Sequence, residues 1–310
     1  MILITSAAGQ TGTRIIRLLV ARGAAVRGFV QSEASADKVR ALGAQAFRGD
    51  LRDAQALGDA MRGVERLYHI APTLSFREHE MGRGVVDAAV RAGLRHFVLH
   101  GVMAPYLQNI NYHFAKELIQ WDLYRSGLPY TVMLPTNYMQ NVNWTWPTIV
   151  ERGEWQLPYD PERRLTWVDL DDLAEAAANV LTEPDHAYGT YELCGSNSFL
   201  SRVEIARLMS NALGREVRAV KVPVEAYLDA CRRMPFFSRM RTEELDQIRA
   251  MFTDYDEYGM PAGNAKVLSM LLGRPASSYA QFLQRLAEAW RKGAGAGGSA
   301  LTHYGLPSLD

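Results

Sequence analysis

The sequence predicts an α/β fold: a doubly wound parallel sheet, followed by a smaller and mainly helical lobe. Three observations lead to this prediction. The chain of 310 residues opens with an apolar, β-type run, Met1–Thr5. Short apolar runs then alternate with segments of helical periodicity as far as Pro135, and after Pro135 this alternation stops. Repeated strand–helix units are typical of parallel sheets with right-handed crossovers and helices on both faces.

The elements of the first half follow in chain order. Apolar and β-branched runs that end at turn residues predict six strands, at 1–5, 24–30, 44–48, 66–70, 96–100 and 130–134. Helical spacing of apolar positions predicts the helices between them, at 13–20, 36–42, 54–61, 81–92 and 112–126. Gly43, Gly93 and Gly127 follow three of these helices, and glycine is the residue that most readily ends a helix.

The second half has a different pattern. A strand at 164–168, a helix at 171–181 and a strand at 190–193 are predicted to return to the first domain. Ser201 and Glu204 have the spacing of a capping box and predict a helix start. From Val217 onward the pattern is mostly helical, with a loop around 258–264.

These elements predict a domain organisation. Residues 1–136, with 164–193 returning to them, form the first domain, and 137–163 with 194–292 form the lobe. The segment 293–310 is rich in Gly, Ala and Ser at its start and is predicted to be a flexible tail.

The turn after the first strand has the pattern of a phosphate-binding loop. Its sequence, SAAGQTG, has the spacing of G-x-x-G-x-x-G with Ser6 in the place of the first glycine. Small residues let the backbone approach a pyrophosphate, and the free N–H groups of the following helix stabilise its charge. The alternative is a plain strand–helix turn that needs glycine for close packing. The strand before and the amphipathic helix after favour a dinucleotide site of the Rossmann type. The predicted phosphate contacts are Ser6, Ala8, Gly9, Gln10, Thr11 and Gly12.

Composition restricts the class of partner. Basic and acidic residues balance at 34 each, so neither nucleic acid nor an anionic membrane is an expected partner. Cys194 and Cys231 are too few for a disulfide framework, and no Cys/His cluster predicts a metal. The first strand leaves no room for a signal peptide, and no apolar run reaches membrane-spanning length. We therefore expect a cytoplasmic monomer or homodimer that acts on a small molecule.

Several motifs resemble those of the NmrA-like branch of the atypical short-chain dehydrogenase/reductases. Beyond the phosphate turn and Lys116, they are Gly49–Asp53, Asp87–Gly93, Ser126–Pro135, Asp169–Ala174, and Leu271–Pro275 followed by Phe282. The resemblance implies a Rossmann-type domain that binds NAD(P) and a small helical substrate lobe. Family members include quinone, azo-dye and triphenylmethane-dye reductases, and also regulators that bind NAD(P) without turning it over. Further cofactor contacts are expected after the carboxyl ends of the strands, at Asp50, Leu51, Ala71, Pro135 and Asn137, and at Lys116 on the helix after the fifth strand.

Gln31 stands where many relatives place an arginine that holds the 2′-phosphate of NADP. An NAD-type ribose contact would require an acidic residue at this strand end, and none is present. Glu33, the nearest acidic residue after the strand, lies two positions beyond Gln31. Arg27, Lys38 and Arg40 supply positive charge nearby, although Lys38 and Arg40 also fit a solvated helix face. NADP is therefore the predicted cofactor, with NAD as the alternative.

Tyr112 and Lys116 form a Tyr-x-x-x-Lys pair, whose spacing places both side chains on one helix face. In ordinary short-chain dehydrogenases the tyrosine is the general acid, and the lysine lowers its pKa while bonding the nicotinamide ribose. An ammonium beside a phenol favours the phenolate. The usual Ser or Thr after the fifth strand is replaced by His100-Gly101, so His100 is a candidate for orienting the substrate. His113 is a second candidate acid. A pocket-lining tyrosine and a surface lysine are the alternative interpretations.

The segment Asn137–Trp146 follows the sixth strand and is rich in aromatic and amide side chains. Such side chains suit a flat, partly polar substrate, because rings stack on it and amides hydrogen-bond to it. The predicted substrate contacts are Tyr138, Asn141, Trp144 and Trp146, and Trp155 and Tyr159 extend the set. The alternative is that the tryptophans only pack in the interior.

Two function classes follow. The first is an oxidoreductase that moves hydride from NAD(P)H to a quinone-, azo- or carbonyl-type acceptor, with catalysis mainly by positioning. The second is a redox-sensing regulator that binds NAD(P) without catalysis. Dehydration or isomerisation with a permanently bound cofactor is a third possibility. The Tyr112–Lys116 pair and the aromatic segment favour the first class.

Overall fold

The structure is a computed structural model and describes residues 1–72, 74–233, 238 and 240–295. The strands in chain order are β1 (Ile2–Ile4), β2 (Val26–Val30), β3 (Gln45–Arg48), β4 (Arg66–His69), β5 (His96–His100), β6 (Tyr130–Pro135), β7 (Asn137–Tyr138), β8 (Glu154–Leu157), β9 (Arg164–Leu165), β10 (Trp167–Val168), β11 (Thr190–Leu193), β12 (Leu200–Ser201) and β13 (Arg218–Lys221). The helices are α1 (Gln10–Ala21), α2 (Glu33–Ala41), α3 (Ala54–Ala60), α4 (Glu78–Ala92), α5 (Asn111–Ser126), α6 (Trp146–Arg152), α7 (Leu170–Thr182), α8 (Arg202–Leu213), α9 (Val224–Arg232), α10 (Thr242–Tyr258), α11 (Ala265–Leu272) and α12 (Tyr279–Gly295), with a 3₁₀ helix at Met139–Trp144.

Seven of these strands form one sheet in the order β11-β6-β5-β4-β1-β2-β3, and every neighbouring pair is parallel. Helices flank it: α1 packs against α7, and α4 packs against α3 and α5. The predicted α/β fold with a doubly wound parallel sheet is therefore confirmed. Gly93 and Gly127, with φ of 65° and 74°, end α4 and α5 in the left-handed conformation that glycine adopts without strain.

The strand order reverses between β1 and β4, because the chain first adds strands on one side of β1 and then on the other. In open parallel sheets, ligands bind outside the carboxyl ends of the strands at such a switch point. Apolar side chains from β1, β4 and β5 fill the core beneath it together with those of α4 and α5, for example Leu3, Leu67, Leu99, Val85 and Ile119. The fold thus supports a rigid edge at the predicted phosphate turn.

Contacts divide the chain into two compact units. The first comprises Met1–Pro135, Leu170–Leu193 and Val267–Arg274. The second comprises Thr136–Asp169, Cys194–Lys266 and the described residues from Pro275 onward. The segment 164–168, predicted to return to the first domain, instead forms β9 and β10, which pair with β12 and β7 inside the second unit. Only the following helix and strand, α7 and β11, belong to the first unit.

The second unit is less helical than predicted. Residues 218–221, predicted to lie in a helical region, form β13 and pair in parallel with β8. The fully buried Arg202 links the two strands, because its guanidinium donates to carbonyl oxygens of both strands and of the segment after β8. Such long-range satisfaction of buried carbonyls leaves no local signal in the sequence. The predicted capping box at Ser201 and Glu204 is confirmed.

Helix α12 continues to Gly295, three residues into the segment predicted as a flexible tail. The rest of that segment, 296–310, lies outside the described residues. In the part of the chain that the structure describes, no helix combines the length and the apolar character needed to cross a membrane.

Candidate functional site

The phosphate turn is anchored to the end of β4. Ser6 has φ of 47°, in the left-handed region where glycine is usual, and its hydroxyl donates to the carbonyl oxygen of Ile70 at 2.9 Å. Thr5 Oγ1 accepts the N–H of Ile70 at 2.8 Å and lies 2.9 Å from Nδ1 of His69. Serine therefore replaces the first glycine of the motif by adopting its conformation and adding a hydrogen bond across the switch point.

The two glycines of the turn have different tasks. A Cβ on Gly12 would lie 2.7 Å from the carbonyl oxygen of Ala7, so Gly12 lets α1 pack against the turn. Gly9 is exposed at the N-cap of α1, where a Cβ would lie 3.2 Å from the carbonyl oxygen of Ser6. Gly9, not Gly12, is therefore the glycine that keeps the surface of the turn open. Ala8 and Gln10 are half-buried, and Thr11 is buried.

The start of α1 has the electrostatics of an anion site. Within the described residues, no side chain caps its first turn and no acidic side chain lies there. The first N–H groups of the helix therefore remain available, and the helix dipole adds positive potential. A pyrophosphate at the turn would be stabilised by both.

Gln31 directly follows β2 and is exposed, as a residue that contacts the adenosine end of a dinucleotide must be. Arg48, which is not among the predicted site residues, ends β3 beside Val30 in the parallel register. Its guanidinium lies 3.2 Å from Glu33. Arg48 could have been found from the strand order, because the ends of β2 and β3 are neighbours.

The predicted cations are placed less favourably. Arg27 donates to the carbonyl oxygens of Ala60 and Arg62, at 2.7 and 2.9 Å, and is therefore engaged within the fold. Arg40 is paired with Glu33 and Asp37, both at 2.7 Å. Lys38 is exposed on α2.

The other predicted cofactor contacts of the first unit lie at strand ends. Asp50 follows β3 and accepts from the backbone N–H and the guanidinium of Arg52, which holds the pKa of its carboxyl at about 2. The side chain of Leu51 is buried in the core, and Ala71 is half-buried after β4. Pro135 is buried and ends β6. Asp50 is thus a permanent carboxylate at neutral pH.

Lys116 and Tyr112 lie on one face of α5, with the ammonium 5.4 Å from the centroid of the phenol ring. The same ammonium lies 2.5 Å from Oε1 of Glu78, the first residue of α4. Glu78 has no exposed surface, whereas Tyr112 is half-buried. Glu78 carries no signal of burial in the sequence, because an acidic residue at a helix start is favoured by the helix dipole whether or not it is buried.

The two candidate histidines are buried. Nδ1 of His100 lies 2.8 Å from the hydroxyl of Tyr68, and Nδ1 of His113 lies 3.1 Å from the carbonyl oxygen of Ala104. Burial, aided by the charge of Lys116, lowers the pKa of His100 to about 3 and that of His113 to about 4. Both imidazoles are neutral at pH 7 and hold no extra proton for a substrate.

The remaining predicted residues belong to the second unit. Asn137 accepts from the hydroxyl of Tyr255 at 3.0 Å. Tyr138 is half-buried, and Asn141 and Trp144 are exposed. Trp146 is fully buried, so its ring offers no surface to a substrate in this conformation. Trp155 and Tyr159 are also buried, and both rings lie near the guanidinium of Arg202.

A parallel sheet, a small-residue turn at its switch point and an uncapped helix behind that turn define a Rossmann-type nucleotide-binding protein. The NmrA-like family matches residues 1–280. The chain belongs to the NmrA-like family, as the sequence motifs predict.

Named relatives match over nearly the whole chain. The NAD(P)H azoreductase of Xenophilus azovorans is 29% identical over 292 residues, which cover 94% of this chain and 99% of that protein. Quinone oxidoreductase 2 of Escherichia coli (strain K12) is 27% identical over 296 residues, which cover 92% and 98%. The solved structure of the NADPH-dependent quinone oxidoreductase of Escherichia coli with NADPH has a TM-score of 0.79 at 24% identity, covering 92% of this chain and 99% of that one. This structural likeness shows a shared fold.

Proposed function

We propose that this chain is an NADPH-dependent oxidoreductase that reduces a small, flat acceptor of the quinone, azo or carbonyl class. The observation that carries the proposal is the open phosphate turn at the β1/β4 switch point, followed by an uncapped helix. The names of the azoreductase and quinone oxidoreductase relatives support the same reaction class. Tyr112 and Lys116, on the helix after β5, supply the polar groups that such a reaction uses.

The residues present fit a dinucleotide. Gly9 leaves the turn open to a pyrophosphate, and the first N–H groups of α1 donate to it. Gln31 and Arg48 would hold the 2′-phosphate of NADPH. We prefer NADPH to NADH because no carboxylate directly follows β2 to repel that phosphate. Lys116 would donate to the nicotinamide ribose. When bound, the cofactor supplies the hydride.

Besides a hydride, the reaction requires a proton. Reduction of a carbonyl by hydride leaves an oxyanion, which must accept one proton. We assign this donation to the hydroxyl of Tyr112, because the ammonium of Lys116 beside its ring favours the phenolate that remains. His100 and His113 are not assigned this role, since both are neutral and buried. Tyr138, Asn141 and Trp144 are the proposed substrate contacts, and Trp146 is left out because it is fully buried.

Fluorescence titration of the purified chain with NADPH and with NADH tests the cofactor assignment. Saturable binding of both, with NADPH tighter, is expected. Steady-state assays with a soluble quinone, an azo dye and an aromatic aldehyde then test the reaction. Absence of saturable binding of either dinucleotide overturns the proposal. Tight binding without turnover of any acceptor overturns the enzyme assignment and favours the regulator that only binds NAD(P).

A further inference from the structure

Glu78 is a buried acid with an incomplete set of partners. It is the first residue of α4, where the helix dipole stabilises a negative charge. Its Oε1 accepts from the ammonium of Lys116 at 2.5 Å. Its Oε2 is buried and has no hydrogen-bond partner among the described residues. Since buried carboxylate oxygens are nearly always satisfied, this arrangement is not the one that stability alone would select.

The groups around this pair are neutral. The imidazoles of His69, His100 and His113 are buried. Burial lowers the pKa of each, and the positive charge of Lys116 lowers it further. Their pKa values of about 3, 3 and 4 keep them uncharged at neutral pH. The phenol ring of Tyr112 also lies near the ammonium, which is 5.4 Å from the ring centroid. The charges in this cluster are therefore concentrated on Glu78 and Lys116.

Glu78 restrains Lys116 in two ways. The carboxylate fixes the ammonium on the side of α5 that also carries Tyr112, where the backbone carbonyl of Tyr112 is a second acceptor at 3.4 Å. It also offsets the positive charge that acts on the phenol. Burial raises the pKa of the Glu78 carboxyl, while Lys116 opposes that rise. The position and the net effect of the ammonium thus both depend on Glu78.

We propose that Glu78 is a positioning residue, which acts through Lys116 to set nicotinamide-ribose binding and the acidity of Tyr112. The inference rests on the proposed function, because it assigns the support of that same site. Glu78 itself touches neither substrate nor cofactor in this proposal.

Glu78→Gln keeps the shape and removes the charge. NADPH binding is expected to weaken roughly 5- to 30-fold, the range for one lost interaction of a charged group. Loss of the Glu78 charge leaves the positive charge of Lys116 unopposed, which lowers the pKa of Tyr112. The alkaline limb of the kcat profile is therefore expected to move to lower pH by about half a unit or more. Lys116→Met is expected to move the same limb to higher pH. A purely structural role for Glu78 would not produce these opposite shifts.

Glu80→Gln is the matched control, because Glu80 lies two residues further on α4, is exposed and pairs with Arg77. It is expected to leave both measurements unchanged. Glu78→Asp keeps the charge and is expected to restore part of the wild-type pH profile. If Glu78→Gln does not fold, the double variant Glu78→Gln/Lys116→Met, which removes both charges, is measured in its place.

The double variant also decides whether Glu78 acts through Lys116. Its NADPH affinity is expected to equal that of Lys116→Met alone, because the target of Glu78 is already gone. The inference is overturned if the double variant loses NADPH affinity by the sum of the two single losses in binding free energy. It is also overturned if Glu78→Gln and Glu80→Gln give identical results. Failure of the wild-type chain to bind NADPH would instead overturn the proposed function. The two failures are thus distinguished by the wild-type titration.

Discussion

The guanidinium of Arg48 lies 3.2 Å from the carboxylate of Glu33, beside the end of β2. Glu33 therefore competes with any anion that Arg48 could bind. Glu33 is held ionised, since hydrogen bonds from Arg40 and the charges of Arg40 and Arg48 lower its pKa. If Arg48 holds the 2′-phosphate of NADPH as proposed, that phosphate would have to displace this carboxylate at neutral pH.

Replacement of Glu33 should strengthen NADPH binding. Glu33→Gln frees Arg48 and is expected to raise NADPH affinity a few-fold, while NADH affinity stays constant because NADH lacks the 2′-phosphate. Arg48→Gln should have the opposite effect on NADPH alone. Arg95→Gln is a suitable control, since Arg95 is exposed and pairs with Glu65 before β5. Equal changes for NADPH and NADH in either variant would contradict the assignment of Arg48.

Gly12→Val should destabilise the whole protein. Its side chain would meet the backbone of Ala7, where even a Cβ lies 2.7 Å from the carbonyl oxygen. Overpacking of this kind costs about 1–3 kcal/mol. Thermal unfolding is expected to shift to lower temperature, and NADPH binding to weaken with it. An unchanged melting temperature with lost binding would mean that Gly12 makes room for the ligand instead of for Ala7.

Tyr112→Phe separates proton donation from binding. If Tyr112 is the donor, kcat is expected to fall roughly 10²-fold or more while NADPH affinity is retained. Lys116→Ala should lower both. Tyr124→Phe is the control, because Tyr124 is 76% exposed on the same helix. Undiminished turnover in Tyr112→Phe would assign the proton to solvent.

The buried histidines should make the fold sensitive to mild acid. His69, His100 and His113 have pKa values of about 3, 3 and 4, well below the value of about 6.5 in an unfolded chain. As the pH falls below about 6.5, these imidazoles bind protons in the unfolded state but not in the folded state, so the free energy of unfolding decreases. Each imidazole contributes a slope of up to about 1.4 kcal/mol per pH unit.

Urea unfolding between pH 7 and 5 measures that slope, in a range where few carboxyl groups titrate. His100→Gln should reduce it, because one neutral imidazole is removed. A slope equal to that of the wild-type chain would contradict the prediction.

Trp144 and Trp146 should behave differently although they are two residues apart. Trp144 is 43% exposed, so Trp144→Ala is expected to raise KM for the acceptor and leave the melting temperature nearly constant. Trp146 has no exposed surface, and Trp146→Ala should cost about 3–5 kcal/mol of stability. Identical KM values for wild type and Trp144→Ala would remove Trp144 from the proposed substrate contacts.

Local patterns were enough to predict the sheet. Each strand from β1 to β6 contains at least two neighbouring apolar residues, and the glycines at 93 and 127 end their helices as predicted. The strand β13 was missed because its partner β8 is distant in the sequence, and Arg202, which donates to carbonyl oxygens of both strands, lies in neither. Periodicity alone cannot report such a contact.

The candidate site was predicted only in part, for a similar reason. The phosphate turn and the Tyr112–Lys116 pair are motifs of residues that lie within a few positions of one another, so the sequence shows them directly. Glu78 and Lys116 are 38 positions apart, and only the packing of α4 against α5 brings them together. Burial is also a property of the fold, so the sequence did not reveal that His100, His113 and Trp146 are enclosed.

Ser6 has a thermodynamic consequence for ligand capture. A glycine at this position would sample many conformations, whereas a serine held at φ of 47° and bonded to Ile70 samples few. Holding a non-glycine residue there costs the folded protein about 1 kcal/mol or more, a cost carried before any ligand arrives. A loop already ordered loses less conformational entropy when it closes on an anion. Ser6 therefore lowers the folding stability slightly and keeps the turn ordered, so a dinucleotide bound there, as proposed, would need to order less of the loop.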